Sequence, residues 1–373
     1  MKKKTTLKKK TTFSQLSMQK VFRLFIWFFI SNGFIIKSFS QTEFRGFGHQ
    51  EFSAVKKDST DAYFSIGEHD FFITGKLSNR ISFLGEYVVR FNGSSPTAFL
   101  PSIERSFVKF NYVNNHSIIA GKVHTPVNYW NDTYHHGRLL FPVIDRPFAF
   151  SYLVPLHTLG IQIQGQNLGK LGFGYDLMAG NGIASTDNFQ GGINPALCLA
   201  LHIKPLPGMR IGASYYRNQL NRNFSGAHIG HALTPGGNPL KLYKGPLNYQ
   251  LFSSSFALFG KPIELLNEFS FNRTRTDSLG SAFNFSNFLY LGYRMNDHQI
   301  PFLLIDYIHT SEKDLHVYPI EMLKVALGFR YEFNYLINLK AQVEHTWTQN
   351  SSGHLDQRHL GALGLRLQLA YGF

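Results

Sequence analysis

Hydrophobic and polar residues alternate with period two over most of the chain beyond residue 41, and no stretch there sustains an apolar period of 3.6. The run from Leu363 to Phe373 is the cleanest: Leu363, Leu365, Leu367, Leu369, Tyr371 and Phe373 share one face, and Gly364, Arg366, Gln368, Ala370 and Gly372 the other. The same pattern places Leu323, Val325, Leu327, Phe329 and Tyr331 opposite Lys324, Ala326, Gly328, Arg330 and Glu332. Alternation of this kind, punctuated by Gly, Asn, Asp and Pro, predicts strands and turns. Sixteen segments are expected, roughly at 44–55, 62–77, 80–92, 102–112, 116–125, 157–166, 169–180, 194–204, 208–218, 247–259, 262–273, 282–294, 299–311, 320–333, 336–349 and 360–373. Segments 62–77 and 299–311 alternate less cleanly, which leaves fourteen or eighteen strands open.

The connections alternate in length. Short ones include 78–79, 113–115, 167–168, 205–207, 260–261 and 334–335, and long ones 126–156, 181–193, 219–246 and 350–359. An even number of strands joined alternately by short turns and long loops is the pattern of a transmembrane antiparallel β-barrel, whose strands need about ten residues to cross a bilayer. The expected fold class is therefore all-β, one barrel of about sixteen strands. Small and polar residues on the second face predict a wet lumen. Tyr112, Tyr293, Tyr331 and Tyr371 close descending strands at one membrane boundary, with Trp347 and Tyr215 near the other. That arrangement is expected for interfacial aromatic girdles.

Composition narrows the classes. Charged residues are 16% and aromatics 15%, with 36 Phe and 18 Tyr, against about 25% charge in an ordinary soluble domain. This excludes a disordered chain and argues against a nucleic-acid binder. One Cys excludes a disulfide framework. The formal charge of +14 is misleading, because residues 1–40 hold nine bases and no acid, leaving 28 bases and 23 acids beyond them. That basic start, the apolar run Leu24–Ile30 and the small polar end Ser38-Phe39-Ser40-Gln41 read as a secretory signal peptide over 1–40. A start at Met18 would give a more usual leader, and 41–373 is the expected barrel.

The final alternating strand ending in Phe373 resembles the C-terminal insertion signal of Gram-negative outer-membrane proteins. Gly121-Lys-Val-His-Thr-Pro126, continuing through Asn128-Tyr-Trp-Asn131 and His135-His-Gly-Arg138, resembles porins of the phosphate-selective O/P type and porin-like proteins of the Bacteroidetes. The resemblance implies a Gram-negative outer-membrane location, lipid around the barrel, passive passage of small hydrophilic solutes or anions, a homotrimer as the common assembly, and no cofactor. It also implies that the third extracellular loop, 126–156, folds into the lumen as a constriction carrying Asp132, His135, His136, Arg138, Asp145 and Arg146. An external lid is the alternative. Pro142, Pro147 and Pro155 would stiffen the loop either way.

Parity assigns the wall. Arg105, Lys109, Lys122, Lys324, Arg330, Lys340 and Arg366 are expected to line the pore, with Glu86, Glu332, Glu344, Asp306 and Glu268 as inward acids. Basic rings favour anions, so a weak anion preference is expected. Pairing of Glu332 and Glu344 with Arg330 and Lys340 would cancel it. His135-His136 and His228-x-x-His231 could in principle bind metal, but both lie in predicted loops without nearby acids, so no metal site is expected. Cys198 reads as a small wall residue.

Two other classes compete. One is a non-conducting receptor or adhesin using loop 219–246. The other is an outer-membrane lipid hydrolase. His345 faces outward, yet the neighbouring strand offers Leu363 and no Ser at that level, and no Gly-x-Ser-x-Gly occurs, so the chain is not read as an enzyme.

Overall fold

The computed structural model describes residues 41–56, 60–91, 99–135, 137–183, 194–220, 246–277, 280–314, 317, 319–349 and 363–373. The expected leader over 1–40, His136, and the pair His228 and His231 lie outside the described residues. The strands begin with β1 (Thr42–Lys56), β2 (Thr60–Ser65), β3 (Glu68–Lys76), β4 (Ile81–Phe91), β5 (Phe99–Val113) and β6 (His116–His124). Two short helices, α1 (Tyr129–Thr133) and α2 (Phe148–Tyr152), follow β6. Then come β7 (His157–Leu168), β8 (Phe173–Gly180), β9 (Ala196–Ile203), β10 (Met209–Leu220), β11 (Leu247–Phe259) and β12 (Ile263–Thr276). The chain closes with β13 (Gly280–Tyr293), β14 (Gln299–His309), β15 (Glu321–Asn334), β16 (Ile337–Gln349) and β17 (Leu363–Gly372).

Consecutive strands pair antiparallel, apart from β2 and β3, which share one traverse, and β1 pairs with β17 from Phe47↔Gly372 to Lys56↔Leu363, which closes the sheet into a barrel. Seventeen strands make sixteen traverses, because β1 pairs with β2 along Glu51–Lys56 and with β3 along Thr42–Gly48. The uneven alternation of 62–77 has its cause here: the traverse breaks at Ile66-Gly67. Gly67 has φ +63, and a Cβ there would lie 2.3 Å from the His49 ring. Glycine is required on both counts.

The alternation becomes inside and outside. Leu363, Leu365, Leu367 and Leu369 are exposed on the outer wall, whereas Arg366 is 7% exposed and Gln368 and Ala370 are 0%. Outward apolar side chains fit a bilayer's hydrocarbon. Tyr112, Tyr293, Tyr331 and Tyr371 stand at the short-turn end, and Tyr215 and Trp347 toward the other. Above the outward row Tyr215, Phe252, Phe271 and Phe285, the outer face turns polar with Arg217, Gln250 and Arg273. At the seam, Phe373 exchanges backbone hydrogen bonds with Gly46, both 2.9 Å, and its ring occupies the space a Gly46 side chain would need.

The expected wet interior is corrected by the structure. A hydrophobic core fills much of the lumen. It contains inward residues of the wall, such as Tyr216, Tyr249, Leu251, Phe288, Leu304 and Ile308, together with Val127, Trp130, Phe141, Phe150 and Leu153 of the loop between β6 and β7. This also explains the uneven alternation of 299–311. Strand β14 is apolar on both faces because one meets lipid and the other meets the loop.

Candidate functional site in the barrel lumen

The loop between β6 and β7 crosses the lumen. Its backbone bonds reach walls far from its own strands: Trp130 N–H to Glu268 Oε1 at 2.8 Å on β12, and Phe148 N–H to an Asp306 carboxylate oxygen at 2.7 Å on β14. The Tyr249 hydroxyl donates to the Leu153 carbonyl. Asn128 caps α1 by accepting from Asn131 N–H at 3.2 Å, and Asn131 in turn donates to the carbonyls of Thr125 and Leu156, tying the two roots of the loop together.

The loop has two faces. Trp130 packs edge-on against Phe288 and Phe141, and Tyr129 and Tyr134 against Phe259. This face is apolar, and burial pushes the Tyr134 hydroxyl pKa well up. The other face carries charge. Asp145 accepts from Lys324 Nζ at 2.9 Å and from Arg366. Arg146 reaches Glu68 Oε2 at 2.8 Å. Burial alone would raise the Asp145 carboxyl, but Arg366 and Lys324 overcome it and hold it well below the usual carboxylate range. Burial, with Arg146 nearby, lowers the Arg138 guanidinium to about 10.

The parity assignments place most named residues inside, but packed rather than bathed. Lys324, Arg330, Lys340, Arg366, Glu86 and Glu344 are all buried. Lys340 donates to the Arg138 carbonyl at 2.6 Å and to Gln368, not to Glu344. Glu344 instead accepts from Gln342 and lies 3.9 Å from both Lys324 and Arg366. Arg330 does pair with Glu332, at 2.9 Å, and more closely with Glu264 at 2.8 Å. Arg105 pairs with Glu86. Lys109 makes no ion pair among the described residues. Lys122 is corrected: Ile119 and Val123 are the buried residues of β6, and the register sets Lys122 in the outward row with Ile118 and Ala120, where it donates to the Ile103 carbonyl at 2.6 Å. In the loop, Asp132 pairs with Arg210 at 2.6 Å, and His135 is buried against Asn131.

Several participants escaped the sequence reading. Glu264 shares its carboxylate among Arg330, Arg294 and Tyr290 at the short-turn end, beside a cavity of about 570 Å³. Its parity with Glu268 on one segment was the available signal. Glu104 could not be found that way. The register of β5 shifts opposite Glu86 and Tyr87, a bulge that brings both Glu104 and Arg105 to charged partners of the lumen. Glu51, Glu68 and Arg90 complete the charged strip along β1, β3 and β4. Outside, His345 meets Trp347 edge-on and lies opposite Val325 and Leu363, so the register supplies it with no nucleophile there.

No family model and no curated protein matches the chain. Solved structures with a similar fold include the anion-selective porin from Comamonas acidovorans, 12% identical with a TM-score of 0.62 over 90% of this chain and 100% of that one. The outer membrane channel DcaP of Acinetobacter baumannii is 12% identical with a TM-score of 0.60, over 90% and 97%. The trimer form of OmpT of Vibrio cholerae is 11% identical with a TM-score of 0.58, over 90% and 99%. At such identity the likeness is one of fold: the sixteen-traverse porin barrel.

Proposed function

We propose that this chain is a porin-type channel of a Gram-negative outer membrane, passing small hydrophilic solutes passively through a conduit much narrower than the barrel. The observation that carries the reading is the two-faced loop. Its apolar face is packed against β10–β14, and its charged face looks toward β1, β3–β5 and β17, where Arg90, Arg105, Glu51 and Glu68 keep partial solvent exposure. The conduit follows that strip. Its charges are mostly paired, so selectivity is weak, and Lys109 tips it toward anions. The likeness to a trimeric barrel supports a homotrimer.

A second reading has its own support. The loop touches the wall on nearly every side, which favours a closed barrel that acts through its outer loops. Planar-bilayer recording of the folded, heat-modifiable protein under a KCl gradient separates the two. Small discrete steps with a reversal potential of the anion-selective sign support the channel. A folded protein that never conducts sinks it in favour of the closed barrel.

A further inference from the structure

Three histidines from three separate segments meet where the infolded loop leaves the wall. His124 ends β6, His157 begins β7, and the register sets them opposite each other. His135 comes back from the loop and stacks on His124, with ring centroids 3.6 Å apart, and meets His157 edge-on at 4.6 Å. One donor nitrogen from each lies within 4.8 Å of the other two. All three are buried or nearly so, with His135 at 1% and His157 at 7%. Asn131 Oδ1 sits 2.7 Å from His135 Nδ1, which orients that ring.

Carboxylates flank the group. Glu104 Oε2 is 2.9 Å from His157 Nε2, and Glu86 Oε2 is 3.6 Å from His124 Nε2. Each glutamate is itself held by a guanidinium, Glu104 by Arg90 at 2.7 Å and Glu86 by Arg105. Strand pairing along β4–β7 gathers four of these five groups, and the loop's path adds His135. They are spread from residue 86 to residue 157, and no helix spacing or local motif links them.

We propose that His124, His135 and His157 form a binding site for a divalent transition metal of the imidazole-preferring kind, with Glu86 and Glu104 as orienting or completing carboxylates. The chemistry fits. Imidazole nitrogens select zinc, copper or nickel over calcium and magnesium. Three imidazoles plus a carboxylate or water make the usual tetrahedral zinc set. Nitrogens about 2.0–2.1 Å from such an ion stand about 3.4 Å from one another, so the cluster, whose nitrogens lie within 4.8 Å of one another, would draw together on binding and the stacked His124 and His135 rings would splay. Carboxylate–imidazole pairs are the common outer support of such sites. Bound metal would join the ends of β6 and β7 to the loop and clamp its root. This holds whether or not the barrel conducts.

The test uses the full mature barrel, without an affinity tag of histidines, folded in detergent and stripped with chelator. Zinc uptake is measured by titration calorimetry and by elemental analysis after desalting. The expected result is one zinc per chain, retained against millimolar calcium and magnesium. His135→Ala and the double variant His124→Gln/His157→Gln should each weaken binding at least tenfold, and Glu104→Gln about tenfold. Folding of each variant is checked by heat-modifiable migration. His354→Ala, distant in sequence, serves as the control expected to bind as the parent does. Absence of saturable uptake overturns the proposal. So does uptake that survives in folded His135→Ala and in the double variant.

Discussion

The two sides of the loop fill the same lumen by different physics. Toward β10–β14, Trp130, Phe141 and Phe150 meet Phe288, Tyr249 and Leu304, and the contact is apolar and closely packed. Toward β15–β17 and β3, Asp145 and Arg146 meet Lys324, Arg366 and Glu68. Apolar packing tolerates small shifts and favours exclusion of water. Buried ion pairs gain little net stability but fail badly when one partner is lost, because the other is left charged in a low-dielectric place. The apolar side therefore supplies holding strength, and the charged side sets position.

The strongest way to break the contrast is to remove the loop. Replacing residues 127–154 by a short Gly-Ser linker should leave a barrel that still migrates as folded and should raise single-channel conductance several-fold. Next, Asp145→Ala leaves Lys324 only Glu344 at 3.9 Å, and Arg366 only Glu344 at 3.9 Å and Glu51 at 3.3 Å, as ion-pair partners among the described residues; it should cost about 3 kcal/mol, seen as a lower unfolding midpoint in detergent and noisier currents. Trp130→Ala attacks the apolar side and should cost a similar amount, about 3–5 kcal/mol, but with an unchanged reversal potential.

On the charged side, acid should act through Asp145. The folded pKa of Asp145 is depressed, so its contribution is fully present above the unfolded value of about 3.9 and is lost only as pH falls through the lower folded value. Between pH 8 and pH 5 this contact should not loosen the loop. Release should appear below about pH 4 in the parent, and Asp145→Asn should remove that acid transition. Smallest of all, Lys109→Ala should move the reversal potential toward zero by a few millivolts without altering stability.

The wall was readable from the chain because lipid on one side imposes a strict period of two. Arg366 and Lys324 could be placed inside on parity alone. Where the lumen is apolar, that rule weakens. Ile300, Phe302, Leu304 and Ile308 face inward and are as apolar as their outward neighbours, and the lost alternation of β14 was itself the trace of a partner inside. Partners were less accessible than faces. Lys340 and Glu344 sit on the expected side yet choose a loop carbonyl and neighbouring amides, because the loop supplies groups 200 residues away in sequence. The histidine cluster was invisible for the same reason: only His135 stood in a suggestive local pair.

Asp145 and Arg146 are adjacent in sequence but grip opposite banks of the seam. Asp145 holds Arg366 on β17, and Arg146 holds Glu68 on β3, with β1 lying between them. The first and last strands of a barrel form the one join made between chain ends rather than across a turn, so lateral parting of the wall would begin there. Two neighbouring residues of an inner loop thus act as a clasp across that join. Opening the conduit by swinging the loop away and splitting the wall sideways are, in this molecule, resisted by the same pair of side chains.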